Sequence, residues 1–214
     1  MRIYLEEYPT KLTAPANSSV EEWSHYSFQC LADLMAYLGH TDPVDIAVLH
    51  NYYQFKEYPK KHLFASPEIS LDKIFYITKG NILAYTLSGN NKVVRLLIST
   101  GHLVTSLNSL TNIPNIPGIY FETLTPVKGL EISVNNFKLM STQKNFQFLN
   151  KLIEAGIIKR LRYQQTITEI LYLPAKERVK TFMEIYPDVC DHFQKQHIAS
   201  LLGINKETFS RTIK

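Results

Sequence analysis

The last twenty residues, 195–214, constrain the fold most, because they predict two short helices joined by a tight turn. The first helix carries an apolar stripe at helical spacing, formed by Ile198, Leu201 and Leu202. Gly203 follows at once, and glycine adopts the left-handed conformation that ends many helices at little cost. Asn205 is then a suitable N-cap for the second helix, because its side chain can accept a hydrogen bond from a free backbone N–H. The segment therefore predicts a helix-turn-helix.

The second of these helices has one polar side and one apolar side. At about 100° per residue, five polar residues fall within roughly 140° of one another. They are Lys206, Glu207, Ser210, Arg211 and Lys214. Phe209 and Ile213 point the other way. A helix with an apolar back and a polar face of this kind suits a DNA major groove. The alternative is an ordinary helical hairpin with a solvated charged face.

Charge is distributed unevenly along the 214 residues, a length that allows one large domain or two small ones. Residues 142–214 carry 12 lysines and arginines and 7 acidic residues, a net charge of +5, whereas residues 1–141 have a net charge of −1. The C-terminal third is therefore the part suited to a polyanionic partner. The two cysteines, Cys30 and Cys190, are too few and too far apart for an iron–sulfur site or a disulfide framework.

The N-terminus has acidic residues where a signal peptide would be apolar, and no apolar run approaches the roughly 18 residues of a membrane span. We therefore expect a cytoplasmic protein with no membrane partner. Residues 1–18 look irregular. Ser18 or Ser19 is a candidate cap for a helix that ends at Gly39, and a second helix is expected from Asp42 to about Tyr52.

From about residue 53 to residue 134 the sequence predicts β-structure. Short apolar segments recur every ten residues or so, with Gly, Pro and Asn between them. Lys79, Gly80 and Asn81 form a turn signal between two such segments. This spacing is typical of an antiparallel sandwich or barrel.

From Ser141 to about Leu173 the pattern is helical, and Pro174 breaks it. Such a helix is long for a globular protein. Its spacing predicts a dimerisation face, made of Ile153, Gly156, Ile157, Leu161, Gln164, Thr168 and Leu171. The alternative is that the helix packs on its own sheet. A further helix is expected from Pro174 to Tyr186.

Five segments resemble motifs of the cyclic-AMP receptor / fumarate–nitrate regulator (Crp/Fnr) family. They are Lys73–Gly80, Gly101–Val104, Glu131–Ser133, Pro174–Val179 and Ile198–Arg211. The resemblance implies an α+β fold: an N-terminal double-stranded β-helix (a jelly roll like that of cyclic-nucleotide-binding domains) with flanking helices, a long dimerisation helix and a C-terminal helix-turn-helix. The implied domains are a sensor at residues 1–141, with a helical extension at 1–50, the long helix at 142–173 and the DNA-binding domain at 174–214.

The resemblance also implies a function: a homodimeric transcription regulator, not an enzyme, that binds a two-fold operator in double-stranded DNA. RNA polymerase is a candidate partner. Lys206, Glu207 and Arg211 occupy the base-reading positions, and Thr208 and Ser210 suit phosphate contacts. The expected DNA-binding set also includes Lys195, Asn205 and Lys214.

An effector is expected in the jelly roll, and two departures argue that it is not cyclic AMP. The family's cassette of Gly-Glu-Leu reads Thr105, Ser106 and Leu107 here, and no arginine occurs between Leu96 and Lys159. A buried cyclic phosphate would lack its cationic partner. The expected pocket for an unknown small molecule comprises Thr105, Ser106 and Leu107 together with Tyr85 and Tyr120. Alternatively, the aromatic residues form a packed core.

No residues point to a cofactor, a metal or a catalytic centre. The seven histidines show no metal-ligand spacing, and no nucleophile or glycine-rich phosphate motif is present. His102 is either a surface-turn residue or, as in one branch of the family, a haem ligand. The alternative function is a sensor or protein-interaction module with a vestigial helix-turn-helix, because the charge is modest and no β-hairpin wing follows the last helix.

Overall fold

The computed structural model describes residues 18–37, 47–69, 71–105, 118–142 and 148–213. The helices in this part of the chain are α1 (Val20–Tyr37), α2 (Val134–Ser141), α3 (Phe148–Leu171), α4 (Ala175–Ile185), α5 (Val189–His192), α6 (Lys195–Leu201) and α7 (Lys206–Thr212). The strands are β1 (Gln54–Tyr58), β2 (Leu63–Ala65), β3 (Lys73–Lys79), β4 (Ile82–Ser88), β5 (Asn91–Ile98), β6 (Leu103–Val104), β7 (Tyr120–Thr123) and β8 (Val127–Ser133).

The strands form two four-stranded antiparallel sheets. The first has the order β1-β8-β3-β6 and the second has the order β2-β7-β4-β5. Alternate residues of the strands point inward and fill the space between the sheets with a core that includes Phe64, Phe75, Ile77, Ile82, Ala84, Ile98, Phe121 and Val127. The predicted α+β class, with a jelly-roll domain followed by helices, is confirmed.

The turn at Lys79–Asn81 joins the two sheets at a corner. β3 pairs with β6 and β8, whereas β4 pairs with β5 and β7, so the two strands beside this turn do not form a hairpin. Gly80 has a φ of +105°, and a Cβ atom there would lie 2.5 Å from the Pro126 carbonyl oxygen. The position therefore requires glycine, both for its conformation and for the close approach of the neighbouring loop.

Helix α1 covers the outer face of the first sheet. The Ser19 side chain accepts a hydrogen bond from the Glu22 N–H at 3.2 Å, and the Glu22 carboxylate accepts one from the Ser19 N–H at 2.9 Å. This reciprocal capping box fixes the start of the helix, as expected for Ser19. Its apolar side packs on β3 and β8, with Leu31, Leu34, Met35, Ile74, Tyr76, Leu130 and Ile132 in one cluster. The predicted end at Gly39 lies outside the described residues, and residues 47–49 of the predicted second helix are helical.

The C-terminal helices pack on the outer face of the second sheet. One apolar cluster joins Leu83, Tyr85, Val94 and Leu97 of the sheet to Tyr163, Ile167, Val179, Phe182, Ile198 and Phe209 of the helices. Two hydrogen bonds reinforce this contact: the Val94 N–H donates to the Ser200 hydroxyl at 3.0 Å, and the Asn81 side chain donates to the His192 carbonyl at 2.9 Å. None of the helices that the structure describes is both long and apolar enough to cross a bilayer.

Candidate functional site

The turn between α6 and α7 has the geometry that its sequence predicts. Gly203 has a φ of +64°. The Gly203 N–H donates to the Ser200 carbonyl at 3.2 Å, and the Ile204 N–H donates to the Ala199 carbonyl at 3.0 Å. These two bonds form a Schellman motif, which satisfies carbonyl groups at the end of α6 and turns the chain. The relative orientation of the two helices is therefore set largely by local hydrogen bonds.

Asn205 caps the second helix, as predicted. Its side-chain oxygen accepts a hydrogen bond from the Thr208 N–H at 2.7 Å. The carboxamide therefore has a structural role, and its NH₂ group is what remains for a contact with DNA.

We expect Asn205→Ala to lower the free energy of unfolding by about 1 kcal/mol, because it removes this cap. Urea unfolding followed by circular dichroism measures the change. Asn136→Ala is the matched control, since Asn136 is an exposed residue of α2. An equal loss in both variants would contradict the capping role.

The inner side of α7 is anchored in the core. Phe209 is fully buried, at 0% exposure, in the cluster that contains Val179 and Phe182 of α4. Arg178 of α4 ties two helix ends together: its Nε donates to the Leu173 carbonyl at 2.7 Å, and its Nη1 donates to the Leu202 carbonyl at 3.0 Å. The helix-turn-helix is therefore connected to the end of the long helix α3 as well as to the sheet.

The outer side of α7 is polar and exposed. Lys206, Glu207 and Arg211 are exposed, while Thr208 and Ser210 are half-buried. Lys195 is exposed at the start of α6, and Lys214 lies outside the described residues. No described part of the same chain covers the three charged residues, so the face remains open to a partner.

The predicted dimer residues of α3 fall into two groups. Ile153, Gly156 and Ile157 line a cavity between the helix and its own sheet domain. Leu161, Gln164, Thr168 and Leu171 are exposed. All seven lie on one side of the helix, within about 140° of one another. The two groups differ in their position along the helix axis: the first three lie over the sheet domain, and the last four lie beyond it and are exposed.

A stripe of three apolar and two polar residues runs along the exposed side of α3 and ends one residue past it. Its residues are Ile158, Leu161, Gln165, Thr168 and Tyr172, with Leu161 59% and Tyr172 86% exposed. They are spaced by three and four residues alternately and lie within about 80° of one another. The residues that pack on the same chain, Tyr163, Ile167 and Ile170, lie on the opposite side. Helix α3 therefore has one apolar side against its own chain and one facing outward.

The cavity beneath α3 has a volume of about 100 Å³ and a mainly apolar lining, and it is partly open to solvent. Side chains from α1, β5, β6, β7 and α3 line it. The polar or charged ones among them are His102, Thr105, Lys159, Arg160 and Tyr163. Of the predicted effector residues, Thr105 lines this cavity. Tyr85 and Tyr120 stack on each other and pack in the cluster with the C-terminal helices. Ser106 and Leu107 lie outside the described residues.

His102 is enclosed, in contrast to the surface turn that its sequence position suggests. Although the residue as a whole is partly exposed, its Nε2 atom is buried and has no hydrogen-bond partner. Its Nδ1 lies 2.9 Å from the Ser99 carbonyl oxygen and 3.1 Å from that of Thr100. Carbonyls only accept, so Nδ1 carries the proton, and in the neutral ring Nε2 is an acceptor.

His102 also makes stability depend on pH. Burial lowers the pKa of His102 from 6.5 to about 4, and the nearby charge of Lys159 acts in the same direction. Between these two values the unfolded chain binds more protons than the folded chain, so the free energy of unfolding falls as the pH decreases.

We expect this one group to remove about 3 kcal/mol of stability between pH 7 and pH 4. The measurement is the difference between wild type and His102→Gln in urea unfolding at a series of pH values. The difference between the two proteins should shift by about 3 kcal/mol in favour of the variant as the pH falls from 7 to 4. Parallel curves over the whole range would contradict the assignment.

The described residues contain no group of three or more His, Cys, Asp or Glu side chains placed to hold a metal ion. Both cysteines are free, and burial raises the pKa of the Cys30 thiol.

A two-sheet jelly-roll domain, a long helix and a helix-turn-helix, in this order, define the fold of Crp/Fnr-type regulators. No protein-family model matches the sequence, and no curated protein does. Solved structures do match. CLP from Xanthomonas campestris, described as a c-di-GMP responsive global regulator, is 17% identical with a TM-score of 0.61, over 80% of this chain and 90% of that chain. FixK2 from Bradyrhizobium japonicum is 15% identical with a TM-score of 0.62, over 75% of this chain and 82% of that chain.

A structure from Eubacterium rectale, assigned to the Crp/Fnr family of transcriptional regulators, is 13% identical with a TM-score of 0.59, over 80% of this chain and 82% of that chain. At such identities the likeness establishes the fold. The resemblance read from the sequence motifs is therefore confirmed as a resemblance of fold.

Proposed function

We propose that this chain is a homodimeric, sequence-specific DNA-binding transcription regulator of the Crp/Fnr type. The observation that carries the proposal is the exposed polar face of α7, which the Schellman turn and buried Phe209 hold in a fixed orientation. A rigid helix with an open polar face is what a major groove accepts.

Arg211 and Glu207 are the proposed base-reading residues. A guanidinium can donate two parallel hydrogen bonds to guanine O6 and N7, and a carboxylate can accept from cytosine N4. Lys206 reaches guanine or a phosphate, and Thr208, Ser210 and Lys195 suit backbone contacts. These assignments rest on side-chain chemistry and on the exposure of the residues.

The exposed stripe of α3 is the proposed dimer contact. Ile158, Leu161, Gln165, Thr168 and Tyr172 have the alternating three- and four-residue spacing of a coiled-coil seam. A second copy of the same helix would cover the exposed Leu161 and Tyr172. The pair of α3 helices would then set the separation of the two α7 helices, and so the spacing of the two half-sites in the operator.

An effector is proposed to bind in the cavity beneath α3. The cavity touches the jelly roll through Thr105 and the long helix through Ile153 and Gly156, so an occupant would contact the sensor domain and the proposed dimer helix together. Its volume is about 100 Å³ and it is partly open to solvent, so the expected occupant is a small molecule. A contact with RNA polymerase remains a prediction from the resemblance.

Fluorescence anisotropy with a labelled random-sequence duplex tests DNA binding directly. We expect binding at low salt and a linear fall of log affinity with log salt. Lys195→Gln, which removes a proposed backbone contact, should weaken binding similarly for all sequences and reduce the steepness of the salt dependence. No binding even at low salt would contradict the proposal and favour a sensor or protein-interaction module with a vestigial helix-turn-helix.

A further inference from the structure

The cavity beneath α3 contains polar groups that its apolar walls do not satisfy. His102 Nε2 and the Thr105 hydroxyl are both buried, and neither has a hydrogen-bond partner within the described part of the protein. A buried polar atom without a partner costs roughly 1–3 kcal/mol. Such atoms in the wall of a cavity therefore point to an occupant that completes their hydrogen bonds.

His102 Nε2 and the Thr105 hydroxyl require different hydrogen-bonding groups from an occupant. His102 Nε2 can only accept, because the carbonyls of Ser99 and Thr100 hold the ring proton on Nδ1. It therefore needs an O–H or N–H donor. The Thr105 hydroxyl can donate to an oxygen of the same molecule.

Positive charge lies on the helix side of the cavity. Lys159 and Arg160 both line it. Arg160 is half-buried, and this burial lowers its pKa from the ordinary value. No carboxylate of the described residues forms a salt bridge with Arg160. A buried guanidinium is stabilised by a carboxylate that it can bind through two parallel hydrogen bonds.

The remaining walls favour an apolar body of limited size. The lining includes Leu34, Leu103, Phe121 and Ile153, and the volume of about 100 Å³ in a partly open cavity favours a short apolar chain.

Resting on the proposed function, we infer that the effector is a small hydroxycarboxylate: a short apolar body whose carboxylate binds Arg160 and whose hydroxyl donates to His102 Nε2. Thr105 then donates to the same carboxylate or hydroxyl. The apolar body fills the space between the sheet domain and α3.

Calorimetric titration of the full chain with three matched compounds tests this class. The compounds are hydroxyisocaproate, isocaproate (which lacks the hydroxyl) and isohexanol (which lacks the carboxylate). We expect hydroxyisocaproate to bind at least about tenfold more tightly than either of the others, because each loses a hydrogen bond to a buried group. A series of hydroxy acids from lactate to hydroxyoctanoate varies the length of the ligand's carbon chain. Equal or tighter binding of isohexanol, tighter binding of cyclic AMP, or no binding by any acid in the series would overturn the inference.

Variants of the cavity residues test which side chains contact the acid. Arg160→Gln should lower the affinity for hydroxyisocaproate at least about tenfold and leave that for isohexanol unchanged. His102→Leu should remove the preference for hydroxyisocaproate over isocaproate. Arg162→Gln is the matched control, because Arg162 is an exposed arginine of the same helix and does not line the cavity. A loss of affinity in Arg162→Gln equal to that in Arg160→Gln would overturn the assignment.

Binding of duplex DNA by the same protein without added acid separates this inference from the proposed function. If DNA binds and no acid does, the proposed ligand class is wrong and the proposed regulator function is retained. If the acids bind as expected and DNA does not bind at low salt, the proposed ligand class is retained and the proposed regulator function is wrong.

Discussion

Leu161→Arg combined with Tyr172→Arg should convert a dimer into monomers and lower the affinity for a two-fold operator by at least about a hundredfold. Both side chains are exposed on the outer stripe of α3, at 59% and 86%. In a parallel helix pair each arginine would meet its own copy across the two-fold axis, and like charges in an apolar seam are strongly unfavourable. A monomer also loses the second half-site, which multiplies affinity by roughly 10²–10⁴ when both sites can be engaged.

Sedimentation velocity measures the oligomeric state, and anisotropy with a two-fold duplex measures the affinity. Leu139→Arg is the matched control, because Leu139 is an exposed leucine of α2 at 57%. It should remain dimeric and bind DNA like the wild type. A wild-type protein that is monomeric at micromolar concentration, or a double variant that remains dimeric, would show that this stripe is not the dimer contact.

Arg211→Ala should lower the affinity for a specific operator by about tenfold or more per half-site and relax the preference at one base pair. The reason is the loss of a bidentate contact, which contributes about 1–3 kcal/mol of discrimination. Affinity for random duplex should fall much less, because only one charge is removed. Arg211→Lys keeps the charge but not the planar fork, so it should retain non-specific binding and lose discrimination.

Glu207→Ala should change the preferred sequence at a different position, since a carboxylate selects cytosine and rejects bases that present only acceptors. The measurement is the affinity for a set of single-base operator variants. If Arg211→Ala and Glu207→Ala both bind every sequence as the wild type does, the base-reading assignment is wrong. Lys180→Ala, which removes an exposed charge from α4, is the control for general electrostatic effects.

The features most accurately predicted from the sequence are those that local interactions determine. Gly203, Asn205 and Ser19 each act through hydrogen bonds within a few residues of themselves, and each has the predicted role. The strand pattern likewise follows from alternation along each segment. The pairing of the strands does not follow from this alternation. The turn at Lys79–Asn81 joins two sheets, because β3 pairs with β6 and β8 whereas β4 pairs with β5 and β7.

The surroundings of α3 could not be predicted from helical spacing. The predicted dimer residues lie on one side of the helix, within about 140° of one another. Ile153, Gly156 and Ile157 line the cavity at the sheet domain, whereas Leu161 and Leu171 are exposed. Spacing identifies the face of a helix but not the surface that each turn of that face meets, because that depends on where the rest of the chain packs.

The cavity was the least predictable feature. His102 and Arg160 are distant in sequence and line the same cavity only because α3 packs on the jelly roll. No motif relates them, and a histidine after a glycine in a turn is usually at the surface. Tyr85 and Tyr120 were assigned to a pocket because they are aromatic residues in strands, whereas they face outward toward the C-terminal helices. The inward or outward direction of a strand residue depends on register, and register depends on the whole sheet.

Selection of bound duplexes from a random pool, using the full chain, is the most direct test of the central claim. The account predicts enrichment of a two-fold symmetric site whose half-sites are about one helical turn or a multiple of it apart. Arg211→Ala in the same selection should lose one specified base pair from each half-site. A pool that shows no enrichment over several rounds, or that yields an asymmetric site which Arg211→Ala selects equally well, would contradict the account.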